Sequence, residues 1–118
     1  MNKDEIAWVK SIDEAPLKEV AMIRGRWGRM VELTGDGESG LILAVGRMEP
    51  GTVAGWHDHP EDEVFLVFQG RGKVRWRIGD QEFEAEVGPG SAFFKRGGIP
   101  HNMEVTGDET LVGVGVKA

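Results

Sequence analysis

The chain contains no cysteine and no tyrosine, and only three of its 118 residues are histidine. Without cysteine there are no disulfides, thiolate metal sites or cysteine nucleophiles, which fits a reducing compartment. Without tyrosine there is no phenolic base and no tyrosyl radical. Long apolar runs are missing as well. No stretch of about 18 apolar residues marks a membrane helix, and the opening MNKDEIAWVK lacks the basic start and apolar centre of a secretion signal. Positive charge is scarce, with 14 Lys and Arg against 20 Asp and Glu and a net charge of −6. A whole-chain electrostatic footprint for nucleic acid or an anionic membrane is therefore excluded. The expectation is a cytoplasmic protein whose partner is a small molecule, with no nucleic acid and no membrane.

What is abundant is glycine, at 18 residues, which favours turns over long helices. The length suits a single domain over 1–118. Turn signals recur roughly every eight to twelve residues, the spacing of an all-β sandwich or barrel. Between them lie the strand-like runs IAWVK (6–10), AMIRGRW (21–27), LILAVGRM (41–48), TVAGWH (52–57) and VFLVF (64–68). Further runs are KVRWRI (73–78), EFEAEV (82–87), SAFFK (91–95), HNMEV (101–105) and TLVGVGV (110–116). Only 11–19 could hold a helical turn, and Pro16 limits its length.

The segment KVRWRIGDQEFEAEV alternates on both sides of a Gly79–Asp80 turn. Val74, Trp76 and Ile78 share a face with Phe83, Ala85 and Val87, while Lys73, Arg75 and Arg77 look out at Glu82, Glu84 and Glu86. Period-two alternation of this kind is a half-buried strand pair, and the basic stripe is better read as cross-strand charge pairing than as a binding surface.

The histidines do not fit that bland pattern. His57 and His59 are two residues apart, so on an extended chain they share a face with α-carbons about 6.6–6.8 Å apart, and Asp58 points the other way. Pro60 ends any ladder there, having no N–H to donate. A hairpin through Pro60–Asp62 would make Glu63 open an antiparallel strand whose carboxylate meets both rings. Imidazole is a ligand for zinc, copper, iron and nickel, and a carboxylate adds an oxygen donor suited to iron and manganese. By itself the pattern also fits a charged surface turn.

The surrounding glycines decide between these readings. Gly51, five residues, His57, one residue, His59, three residues, Glu63, six residues, Gly70 reproduces the first cupin motif. Downstream, Gly90, Arg96, Gly98 and His101 match the second motif in spacing, except that Arg96 stands where proline is usual and Val105 where asparagine is usual. The chain resembles the small single-domain cupins of the conserved-barrel type within the RmlC-like superfamily, with its motif core at 51–105. That resemblance implies an all-β fold, a small double-stranded β-helix or jelly-roll barrel. It also implies that His57, His59, Glu63 and His101 face inward around one divalent metal ion, with two coordination positions left open. Iron or manganese is the first expectation for the ion, with nickel, zinc and cobalt as alternatives.

By alternation, Val53, Gly55, Phe65, Val67, Met103 and Val105 are expected to share the inward faces of the motif residues and form an apolar cup, while Trp56 points away as packing. Arg47, Lys95 and Arg96 are the cations nearest the motifs, and Arg96 is the candidate substrate clamp for a carboxylate. The expected function is a metal-dependent enzyme, a dioxygenase or a Lewis-acid isomerase or lyase, acting on a small, oxygen-rich anionic molecule. The alternative is a non-catalytic binding or sensor module. Because all three histidines are assigned as ligands, oxygenase or Lewis-acid chemistry is favoured over an acid–base relay. VFLVF is apolar on both faces, so Val64, Leu66 and Phe68 need cover, and a homodimer is expected in which a strand around Ile6–Val9 is exchanged.

Overall fold

The computed structural model describes residues 7–9, 11, 18–21, 27–32 and 40–118. Among these, every regular element is a strand: β1 (Lys18–Ala21), β2 (Trp27–Glu32), β3 (Ile42–Met48), β4 (Glu63–Gln69), β5 (Gly72–Ile78), β6 (Gln81–Val87), β7 (Ala92–Lys95), β8 (His101–Val105) and β9 (Leu111–Lys117). They form two antiparallel sheets, one of six strands in the order β1, β2, β3, β9, β4, β7 and one of three in the order β6, β5, β8. The fold is an all-β jelly-roll barrel, and no helix among the described residues is long and apolar enough to cross a membrane.

Alternation decides which residues point between the sheets. On β4, Glu63, Phe65 and Val67 are buried while Val64, Leu66 and Phe68 look outward. Phe65 and Val67 join Met48, Val74, Val87, Phe93, Val105 and Leu111 in one core cluster, against which Trp76 and Met103 pack. The Phe65 ring lies on a floor cleared of side chains. A methyl group added at Gly113 would collide with the ring, and one at Gly46 would touch it at 3.5 Å. The Gly79–Asp80 hairpin forms with the expected pairing, Arg75 opposite Glu84 and Arg77 opposite Glu82, but its apolar face is covered only toward one end: Val74 and Val87 are buried while Ile78 and Phe83 are exposed.

Two expectations are corrected. Residues 52–57 do not form a strand; they run beside β8 with only two isolated bridges, Val53 to Glu104 and His57 to His101. The cause is Gly55, whose φ of 92° breaks the extended path between the bridges. Nor does Glu63 open a strand paired with the histidine segment. β4 pairs with β7 and β9 in the larger sheet, whereas the histidine segment lies against β8 of the smaller one. At the N-terminus, 7–9 lie outside any strand, and residues 6 and 10 fall outside the described residues. Of the run 21–27, Ala21 ends β1 and Trp27 begins β2, while 22–26 fall outside the described residues. Of the suggested helical turn at 11–19, Lys18 and Glu19 belong to β1, and 12–17 are likewise not described.

Candidate metal centre

The two motif segments are tied together through backbone before any side chain meets. His57 N donates to His101 O at 3.0 Å and His101 N donates back to His57 O at 2.9 Å. The loop between β7 and β8 presses on the loop after His59: Gly98 N donates to His59 O and Gly97 N to Asp62 Oδ1, both at 2.8 Å. Only glycine fits at 97, since a Cβ there would run into the Pro60 carbonyl. Asn102, buried on β8, accepts from Gly55 N at 2.8 Å and fixes the bend ahead of His57.

These constraints bring His59, Glu63 and His101 together, with one donor atom from each lying within 4.8 Å of the others. His57 stands beside them, its ring centroid 4.3 Å from that of His101 and 6.5 Å from that of His59, and its side chain is more open to solvent. Each imidazole is oriented in the same way. Nδ1 of His57 donates to Gly55 O at 2.8 Å, that of His59 to Glu61 O at 2.9 Å and that of His101 to Ile99 O at 2.9 Å. A carbonyl can only accept, so each neutral ring carries its proton on Nδ1 and presents an Nε2 lone pair, the tautomer a metal ligand needs.

The consequence is sharpest at His59. Its Nε2 is buried with no hydrogen-bond partner, and it faces Glu63 Oε1 at 3.5 Å. Two acceptors turned toward each other in a buried place are unfavourable unless a cation lies between them. The donor set fits a divalent ion: two or three neutral imidazoles and one carboxylate match iron or manganese. A methyl group at Gly115 would stand 3.0 Å from Glu63 Oε2, so that glycine leaves the carboxylate its space.

Charge around the group is one-sided. Glu63 lies directly across from Lys95 on β7 and from Lys117 on β9. Lys95 Nζ is 2.5 Å from Glu63 Oε1, and Lys117 Nζ is 4.0 Å from Oε2. Burial alone would raise the Glu63 pKa, but the Lys95 hydrogen bond and charge, with Lys117 and His59, outweigh it and hold the carboxylate below its ordinary value. Burial pulls the Lys95 amine below its ordinary value, and Glu63 offsets part of that. Burial likewise pushes His101 down to about 4, against the opposing bond to Ile99 and helped by the nearness of His57, Lys95 and His59, which disfavours a further positive charge, so its Nε2 stays unprotonated at neutral pH.

Among the other candidates, Arg96 is exposed just past the end of β7. Trp56 does face away from His57, stacking under the Arg77 guanidinium at 3.7 Å. Phe65, Val67 and Val105 lie in the packed core. A cleft of about 510 Å³ opens elsewhere, between the edges of β6 and β7, lined by Val74, Trp76, Ala85, Val87 and Phe93. Phe93 links that cleft to the His59–Glu63–His101 group, because Lys95 Nζ lies 4.5 Å from its ring centroid and the His101 ring centroid lies 6.3 Å away.

A family model of the cupin domain matches residues 44–116, the span holding every histidine, Glu63 and Lys95. The chain belongs to the cupin family. No curated protein matches it in sequence. Among solved structures, a predicted oxalate decarboxylase from Thermotoga maritima is 22% identical with a TM-score of 0.80, covering 93% of this chain and 97% of its own. The oxalate decarboxylase of Bacillus subtilis, described with Mn(II) centres, is 23% identical with a TM-score of 0.69 over 86% of this chain, which spans 27% of that larger cupin. Fe(II)-HppE with an alternative substrate, (S)-1-HPP, is 16% identical with a TM-score of 0.81 over 99% of this chain and 63% of its own. At these identities the likeness establishes the fold.

Proposed function

We propose that this cupin is a divalent-metal-dependent enzyme acting on a small, oxygen-rich anionic molecule. The observation that carries the proposal is the buried His59 Nε2, without a partner and facing the Glu63 carboxylate beside His101. His59, Glu63 and His101 would hold the ion, and His57, adjacent to His101, is proposed as a fourth ligand. Iron or manganese suits this donor set, with nickel, zinc or cobalt as alternatives. Solved cupins of similar fold are described with Mn(II) and with Fe(II).

When bound, the ion would supply Lewis acidity and a template for a chelating substrate, or dioxygen activation if it is iron. The chain's own residues set which substrates suit it. Glu63 is the single carboxylate of the group and is flanked by two lysines, so the surroundings favour an anion. Arg96 is proposed as an outer anchor: Arg96→Ala should weaken anion binding and leave metal content unchanged. The reaction class is proposed as dioxygenase-like or as Lewis-acid isomerase or lyase chemistry. Oxygen uptake and product analysis under iron and manganese loading, across oxalate, hydroxy acids, diketones and catechols, test it. Turnover of at least one anionic chelator is expected. Non-catalytic capture is the second reading, favoured by the absence of a further carboxylate from the described cluster. Ligand-induced thermal shifts without product across the whole panel would establish it.

The protein is further proposed to be a cytoplasmic homodimer. Val64, Leu66, Phe68 and Phe94 form a partly exposed apolar face on the larger sheet. Light scattering at micromolar concentration should give twice the chain mass, and a monomer mass would contradict it.

A further inference from the structure

One oxygen of Glu63 faces both Lys95 and His59. Its Oε1 takes the Lys95 ammonium at 2.5 Å, and that same Oε1 is the atom facing the His59 Nε2 lone pair at 3.5 Å. Both side chains of the ion pair are nearly sealed from water, Lys95 at 5% and Glu63 at 9% exposure, so their attraction is little screened. Lys117 differs in kind: it approaches the other oxygen, Oε2, at 4.0 Å and is 23% exposed. It lends charge without occupying the oxygen turned toward the histidines.

We propose that Lys95 is an internal competitor of the metal, holding Glu63 Oε1 in the metal-free protein and having to leave that oxygen before a divalent cation can bind between Glu63 and His59. The proposal rests on the metal-centre reading above. Two cations against one carboxylate oxygen repel each other strongly at low dielectric, so part of the metal's binding free energy is spent moving Lys95 away. The strand register fixes the Lys95 backbone directly opposite Glu63, which leaves only the four-carbon side chain to move. Lys95 thereby lowers the affinity of the site below what its donors alone would give, and neutralises the buried acid when no ion is present.

Calorimetric titration of chelator-treated protein with Mn(II) and Co(II) tests this without recourse to activity. Lys95→Met should bind about tenfold more tightly or better than the wild type, because the competitor is gone and Lys117 still balances Glu63. Lys95→Arg, which keeps the charge, should show no such gain, and Lys117→Met should change affinity by less than about threefold. Should Lys95→Met fail to fold by circular dichroism, Lys95→Gln carries the same expectation. Equal or weaker affinity in the uncharged variants, with the wild type binding one equivalent, would overturn the competitor while leaving the metal centre standing. Absence of saturable binding in every protein would overturn both.

Discussion

Basic and acidic residues face each other across neighbouring strands both on the β5–β6 hairpin and on β7, β4 and β9, and the two rows behave as different materials. On the β5–β6 hairpin, Lys73 and Arg75 meet Glu84 at 3.2 and 3.9 Å, and Arg77 meets Glu82 at 3.3 Å, with side chains between 25% and 53% exposed. On β7, β4 and β9, Lys95, Glu63 and Lys117 occupy the same cross-strand relation, but two of the three are buried. Water screens the first row, so its pairs contribute tenths of a kcal/mol to about 1 kcal/mol each and mainly keep an edge strand soluble. The Lys95–Glu63 pair of the second row has little such screening. Its buried charges are tolerable because each has a partner. Depth, rather than charge pattern, separates a structural ladder from a chemical site.

Removing one acid from each row separates the two most widely. Glu63→Ala should weaken Mn(II) or Co(II) binding by about a hundredfold or more in calorimetry, since it deletes the anionic donor. Glu84→Ala should leave metal affinity unchanged. The buried row should also impose a pH dependence that the exposed row lacks. His101 titrates near 4 in the folded chain against 6.5 when unfolded, so the unfolded state binds the extra proton between those values. Stability of the metal-free protein is therefore full above pH 6.5 and falls as pH drops toward 4, by an order of 3 kcal/mol from this group. Urea unfolding across that window should show the slope, and His101→Gln should flatten it. Next in size is the packing beneath the row. Gly113→Ala pushes a methyl group into the Phe65 ring and should cost about 1–3 kcal/mol by the same assay. The smallest effect belongs to the hairpin: Glu84→Ala should shift stability by less than about 1 kcal/mol, most of it removed by salt.

The sequence made the barrel legible because turn signals bound its strands and β4, β7 and β9 alternate in burial, whereas β3 and β6 do not. The hairpin about Gly79, the buried set of β4 and the outward face of VFLVF all follow from period two. The spacing about His57, His59, Glu63 and His101 pointed to one place, and three of those four close on each other while His57 stands alongside. Two things could not be read from spacing. The histidine segment looked like a strand, and a single glycine with positive φ bends it out of the ladder. Lys95 was visible only as a cation near the second motif, beside Arg96. That it faces Glu63 follows from the β4–β7 register, a fact of topology that no sequence interval encodes. The signal was nonetheless present in the alternation of AFFK, which places Lys95 on the same face as Phe93 and leaves the following Arg96 outside.

The central claim is that His59, Glu63 and His101 are a resident cation site. Elemental analysis of the protein purified without added metal, run beside Glu63→Ala and a His59→Ala, His101→Ala double variant, tests it most directly. One equivalent of a first-row divalent metal per wild-type chain, lost from both variants, is the predicted result. A wild-type chain that neither carries such a metal nor takes up one equivalent on titration would contradict it.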